Sequence, residues 1–354
     1  MRISEKPGTS TKGRIISLAI GCLLSALVGE GLLRLVMPHW DEFFSGRFMT
    51  KITAPDNSLV MIGRAGFDGY FSQNNGDFRV QIAINKSGFR NPEPIEEAAG
   101  KIWVIGDSMA FGWGVERQQT YTEVIERELG QGAYNVASPG TDVCGYQSLM
   151  SLMPKTVRPR AVIVGLIMEN DMRVYDCAAK RSADHPQKEK TWRPTFMNAK
   201  RFLTKYSALY NTVVVSLKRV NPINEALIVL GLANKPHAYR RGFPAEKVGE
   251  IAASTADELA RLKSMAPRDI PFAVLITPAR FDLMADDPVY REMRLKATRE
   301  IRARGIVAID PYEAFKEAGS KPTHFVHDGH WSPLGHEIAG KAAATWLRTR
   351  LPAS

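Results

Sequence analysis

The sequence predicts a doubly wound α/β domain carried behind an N-terminal membrane-spanning helix. Three observations lead there. After Gly100, five short apolar runs alternate with helical stretches; one apolar segment near the N-terminus is as long as a bilayer is thick; and Asp107-Ser108, Pro139-Gly140 and Glu169-Asn170 stand directly after three of the runs.

The anchor comes first. Ile15–Met37, IISLAIGCLLSALVGEGLLRLVM, is apolar over a length sufficient to span a bilayer, since ~20 helical residues cross ~30 Å of hydrocarbon. No small-residue cleavage site of the A-x-A kind follows it, which favours an uncleaved anchor over a signal peptide. Glu30 and Arg34 are costly in a membrane and argue for the competing readings, a cleaved signal or a buried helix. They sit four residues apart near one end, however, where they can pair along the helix and reach the interface. Arg2, Lys6, Lys12 and Arg14 precede the segment with only Glu5 against them. That bias places residues 1–14 in the cytoplasm and everything after Pro38 outside it. The expected location is a bacterial inner membrane, with the main domain in the periplasm.

Residues 38–100 are short-patterned and rich in turn signals. YFSQNNGDFRVQIAINKSGFR carries Asn-Gly and Ser-Gly between alternating runs, which predicts one or two β-hairpins packed beside the main domain. From Lys101 the rhythm changes. The runs KIWVIG, YNVAS, AVIVGLIM, FAVLIT and GIVAID alternate with helical stretches at Thr120–Leu129, Tyr146–Met153, Ala245–Met265, Pro288–Arg304 and Leu334–Leu351. Continuous apolar runs in β-then-α order predict buried parallel strands joined by right-handed crossovers. Residues 172–244 contain no such run. Their polar portion and two apolar helical pieces, YNTVVVSLKRV and NEALIVLGL, read as an insertion near the carboxyl ends of the strands.

Composition excludes several classes. At 44% hydrophobic and 24% charged the chain is ordinary for a globular protein. Its net charge of +10 is scattered singly or gathered in the N-terminal tail. Without a basic run or interleaved aromatic platform, no nucleic-acid partner is expected. Three cysteines exclude a disulfide framework.

The stretch VIGDSMAFGWGV places Ser108 at the carboxyl end of the first apolar run. A serine on such a turn is exposed to the crevice where open α/β sheets bind ligands, although three turn residues after a strand usually do no more than end it. Near the C-terminus, HFVHDGHWSPLGHEIAG offers Asp328 and His330 two residues apart. An Asp so placed can hold the imidazole in the tautomer that accepts a serine proton. His324, His327, His330 and His336 could also suggest a metal, but no two fall at i and i+4 on a helix and Pro333 interrupts the segment, so no metal is expected. His336 is expected to cap or pack the last helix. NVASPGTD brings Gly140 after the second run, and LIMENDM brings Asn170 after the third. A glycine N–H and a side-chain amide are suitable donors to a tetrahedral oxyanion.

The ordered set Gly106-Asp107-Ser108, Gly140 in SPG, Asn170 in ENDM and His330 in HDGHWSPLGH resembles the SGNH, or GDSL-type, hydrolase family over roughly Lys101–Ser354 minus the insertion. The resemblance implies a flavodoxin-like three-layer α/β/α fold with a five-stranded parallel sheet, serine ester hydrolase or acyl transferase chemistry, and no cofactor. It assigns Ser108, His330 and Asp328 as catalytic, and the Ser108 N–H, Gly140 N–H and Asn170 amide as the oxyanion hole. Many members carry the acid three residues before the histidine, where this chain has His327; here Asp328 stands two before. The substrate implied is a small-molecule or glycan ester. Acyl transfer to an envelope polysaccharide and a catalytically silent glycan-binding role are the alternatives. Cys144 follows the glycine block and Cys177 the asparagine block, on strands flanking the nucleophile strand in a 2-1-3 order. A bridge and two separate thiols both remain open, because spacing along the chain does not set the Cα separation a disulfide needs.

Overall fold

The structure is a computed structural model that describes residues 11–73, 76–181, 202–219 and 243–352, with 199 and 229 besides. Two compact units divide the chain. One comprises Met1–Phe44 with Glu189–Ala233, the other Ser45–Lys188 with Asn234–Ser354. The apolar piece expected at residues 224–232 lies outside the described residues apart from 229.

The first unit is built on helix α1, Thr11–Val36, which has no buried residue. Most of its apolar side chains are exposed, and it is long and apolar enough to cross a membrane. Glu30 and Arg34 do pair, at 2.7 Å. The pair also has a second task. Further along the same unit lies a helix at Ala208–Arg219, whose first N–H groups have no partner within it. Glu30 accepts from the N–H groups of Ala208 and Leu209 and from Ser207 Oγ, each at 2.9 Å. Arg34 donates to the Tyr206 carbonyl at 2.6 Å. Helix α1 thus supplies the cap for a helix more than 170 residues away in sequence.

In the second unit, strands β1 (Met49–Thr53) and β2 (Leu59–Gly63) form one antiparallel hairpin, and β3 (Asp68–Ser72) and β4 (Arg79–Ala83) another. Five parallel strands follow: β5 (Ile102–Ile105), β6 (Ala133–Asn135), β7 (Ala161–Ile167), β8 (Phe272–Thr277) and β9 (Val307–Ile309). Their spatial order is β6-β5-β7-β8-β9, the 2-1-3-4-5 arrangement of the flavodoxin-like fold. The chain turns back on itself between β5 and β7, so the switch point lies at their carboxyl ends.

The strands are apolar throughout because both faces are covered. Successive side chains point to opposite faces, and the core divides accordingly. Trp103, Ile105, Val162, Val164, Val274 and Ile276 pack with helices Val143–Leu152, Val248–Met265 and Pro288–Ala303. Ile102, Val104, Ile163, Ala273 and Leu275 pack against Tyr121–Leu129 and Pro333–Arg348.

Element ends differ from expectation where a cap intervenes. The helix expected from Tyr146 begins at Val143, because the Asp142 carboxylate accepts the Gly145 N–H and starts it earlier. The chain after β5 does not run straight to the helix near Thr120. It first makes one helical turn, Ser108–Phe111, because the Asp107 side chain caps it through the Met109 N–H.

Candidate active site

Ser108 begins that single turn, and Gly106 before it lies under the turn so closely that an added Cβ would stand 2.6 Å from Ala110 Cβ. The small residue is thus needed to fold the chain back over the end of β5. Asp107 is buried, and its carboxylate accepts the Met109 N–H. Burial pushes its pKa up, against the pull of the Met109 N–H and of nearby His330.

The opposite wall is a loop between residues 324 and 331, closed by the Phe325 N–H bonding to the His330 carbonyl at 2.8 Å and by a bridge between His324 and Trp331. Within it Gly329 has φ +82, and an added Cβ would collide with the Arg280 guanidinium. That left-handed residue turns the chain so that the side chains two apart, Asp328 and His330, meet. Asp328 Oδ1 is hydrogen-bonded to His330 Nδ1, and His330 Nε2 lies 2.8 Å from Ser108 Oγ. Burial works to raise the Asp328 pKa, but His330 and the amide of Gln73 outweigh it and hold the group below the ordinary carboxylate range. With Asp328 ionised, the imidazole proton sits on Nδ1, and Nε2 is free to accept the serine proton.

Gly140, at φ +77, and Asn170 lie beyond the carboxyl ends of β6 and β7. Both line one cavity of about 400 Å³ together with Ser108, Asp328 and His330. Five residues from four loops thus share one chamber at the switch point. Cys144 and Cys177 are joined as a disulfide, with Cα atoms 5.2 Å apart. The bridge ties the helix after Gly140 to the segment after Asn170.

The other histidines are placed elsewhere. His336 is fully buried, accepts the Tyr121 N–H on Nδ1 at 3.2 Å and packs on Tyr121 and Trp331; burial lowers its pKa to about 3. It holds the last helix against Tyr121–Leu129. His324 borders the cavity, and burial lowers its pKa to about 4. His327 is exposed and paired with Asp77. Among the described residues no group of three or more His, Cys, Asp and Glu is arranged for a metal.

Several residues of the site escaped the sequence. Trp113 lines the cavity, with its ring 5.8 Å from that of His330. The segment carrying it is clamped by buried Arg90, which donates to the carbonyls of Gly112 at 2.7 Å and Val115 at 2.8 Å. Glu169 and Arg280 form an ion pair at 3.2 Å in the wall. The strand-end signal that marked Asn170 applies equally to Glu169 after β7 and Arg280 after β8, and would have found both.

Asp171, next to Asn170, is fully buried. Burial and the charge of Asp107 drive its pKa well above the ordinary range, while the Ile167 N–H at 2.8 Å and Tyr146 O–H at 2.7 Å pull the other way. A carboxyl whose pKa is raised on folding stabilises fully below its unfolded value, ~3.9, and that contribution is lost as pH rises through the folded value. Asp171→Asn has no such proton to lose. Melting temperatures measured from about pH 5 to 9 should therefore fall less with pH in the variant than in the wild type. Parallel curves would mean that Asp171 is ionised in the folded protein.

No protein-family model matches this sequence, and no curated protein matches it. Similar solved structures include a member of the lipolytic protein G-D-S-L family from Veillonella parvula DSM 2008, 14% identical over 72% of this chain and 100% of that one, with a TM-score of 0.40. Another is the lipase/acylhydrolase from Enterococcus faecalis, 12% identical over 72% and 98%, with a TM-score of 0.42. A third is a carbohydrate esterase family 2 enzyme with a carbohydrate binding domain from Corynascus thermopiles, 14% identical over 73% and 67%, with a TM-score of 0.39. The assignment of the fold rests on this chain's own strand order: it is a flavodoxin-like α/β/α protein with a hydrogen-bonded Ser-His-Asp set at the sheet edge.

Proposed function

We propose that this chain is a membrane-anchored, extracytoplasmic serine esterase of SGNH type. The observation that carries the reading is the Ser108 Oγ to His330 Nε2 contact of 2.8 Å with Asp328 on the far nitrogen. Ser108 attacks the ester carbonyl as His330 takes its proton. The resulting oxyanion is met by the Ser108 and Gly140 N–H groups and the Asn170 amide. His330 then protonates the departing alcohol, leaving an acyl-serine, and water, deprotonated by the same imidazole, releases the acid. Glu169, Arg173 and Arg280 in the cavity wall favour a polar ester over a purely aliphatic one.

Turnover of p-nitrophenyl acetate by the detergent-solubilised chain, with and without a polysaccharide acceptor, tests the reading. Release of nitrophenol without acceptor is expected. Release only with acceptor would make the chain a transferase, and none in either case would make it a silent binder. Asn170→Ala should slow hydrolysis by about 10²–10³-fold, the usual cost of one oxyanion donor. A wild-type rate would remove Asn170 from the oxyanion hole.

The location is part of the proposal and rests on the Ile15–Met37 segment with its basic flank. A reporter fused after Ser354 should be active only outside the cytoplasm. The protein purified from membranes without reductant and then denatured should label at Cys22 alone, and at all three cysteines after reduction. Cytoplasmic thiols stay reduced, so labelling of all three at once would overturn the periplasmic placement.

A further inference from the structure

We propose that the β3–β4 hairpin is part of the catalytic apparatus, with Gln73 and Asp77 as positioning residues that hold the Asp328–His330 loop in register with Ser108. The inference rests on the esterase reading for its activity measurement, but not for its geometry.

The loop that carries Asp328 and His330 has little backbone pairing of its own beyond the Phe325 bond. Further partners come from the hairpin, 250 residues earlier. Asp77 Oδ2 accepts the N–H of His327 at 2.9 Å and that of Asp328 at 2.7 Å, and Oδ1 lies 2.7 Å from His327 Nδ1. One carboxylate, its side chain only 5% exposed, thus fixes two consecutive peptide groups of the loop. Gln73 Nε2 donates to Asp328 Oδ2, the oxygen that does not face His330. The acid's two oxygens are therefore divided between the imidazole and the hairpin, which sets the carboxylate plane.

Aromatic packing joins Phe71 and Phe78 of the hairpin to the same two loops. Phe78 packs on Phe325 at 5.2 Å and Phe71 meets Trp113 edge-on at 4.6 Å, while Trp113 lies beside His330. Arg90, which clamps the Trp113 segment, also donates to the Gln81 carbonyl of β4 at 2.9 Å. Hairpin, nucleophile loop and histidine loop are therefore held as one body. Displacing a reacting group by ~1 Å can cost ~10²-fold in rate, so a brace of this kind acts on rate without touching substrate.

The test uses the full chain in detergent, with p-nitrophenyl acetate turnover and the low-field NMR resonance of the His330 Nδ1 proton as separate readouts. Asp77→Ala is expected to lower kcat by ~10²-fold with KM unchanged and to abolish the low-field resonance. Asp77→Asn keeps an oxygen for the two backbone N–H groups and is expected to restore most of the rate. Gln73→Ala should lower kcat by ~10-fold, as loss of a supporting hydrogen bond does in other sites. A wild-type kcat in Asp77→Ala would overturn the proposal. So would a loss of rate matched by an equal loss of folded protein, with the resonance intact in what remains folded. If the wild type itself lacks Ser108-dependent turnover, the esterase reading fails and the resonance alone decides: persistence in Asp77→Ala overturns the brace, and disappearance at unchanged melting temperature supports it.

Discussion

Alanine at position 108 is expected to abolish ester turnover, by ~10⁶-fold in kcat, and alanine at 330 to do the same, because nucleophile and base act as a unit and removing either costs as much as removing both. Neither change should unfold the protein. The Ser108 hydroxyl contributes its contact with His330 and little else to the described hydrogen bonding, and one such bond is worth ~1 kcal/mol. The two variants are best measured together with their double mutant, since a unit predicts no further loss in the combination. A Ser108→Ala protein that turns over at the wild-type rate would remove the central claim.

Asp328→Asn should be the next most damaging substitution, at ~10⁴-fold, and the structure supplies a reason specific to this chain. Gln73 Nε2 is a donor aimed at Asp328 Oδ2, so an asparagine here places its carbonyl oxygen toward Gln73 and its amide toward His330. An amide N–H facing Nδ1 can be accepted only if the ring proton moves to Nε2. Nε2 then cannot take the proton of Ser108. The measurement is kcat for Asp328→Asn against Asp328→Ala, where the lone pair on Nδ1 is not forced. A rate near wild type in Asp328→Asn would show that another group orients the base.

Much of this was legible because buried parallel strands write themselves as continuous apolar runs. IWVI, AVIVGLI and FAVLIT lie in the strands β5, β7 and β8, and the residue that ends each run is placed by the fold itself at the ligand-binding edge. Ser108, Gly140 and Asn170 could therefore be assigned to one edge without knowing a single distance. Helix starts were less legible, since the caps Asp107 and Asp142 act through side-chain bonds to N–H groups two and three residues on, which apolar periodicity does not register.

By itself the sequence determined the fold class, the strand-to-helix alternation and the apolar α1, because these follow from which residues must leave water and at what period. The tertiary structure decided everything that depends on two distant segments meeting. It brought Cys144 within 5.2 Å of Cys177, measured between Cα atoms, turned Glu30 of α1 into the cap of a helix beginning at Ala208, and set Gln73 and Asp77 against Asp328. The physical reason is that burial patterns are local and periodic, whereas a hydrogen bond between residues 250 positions apart leaves no period in the chain. It exists only where packing has fixed both partners to within a few tenths of an ångström.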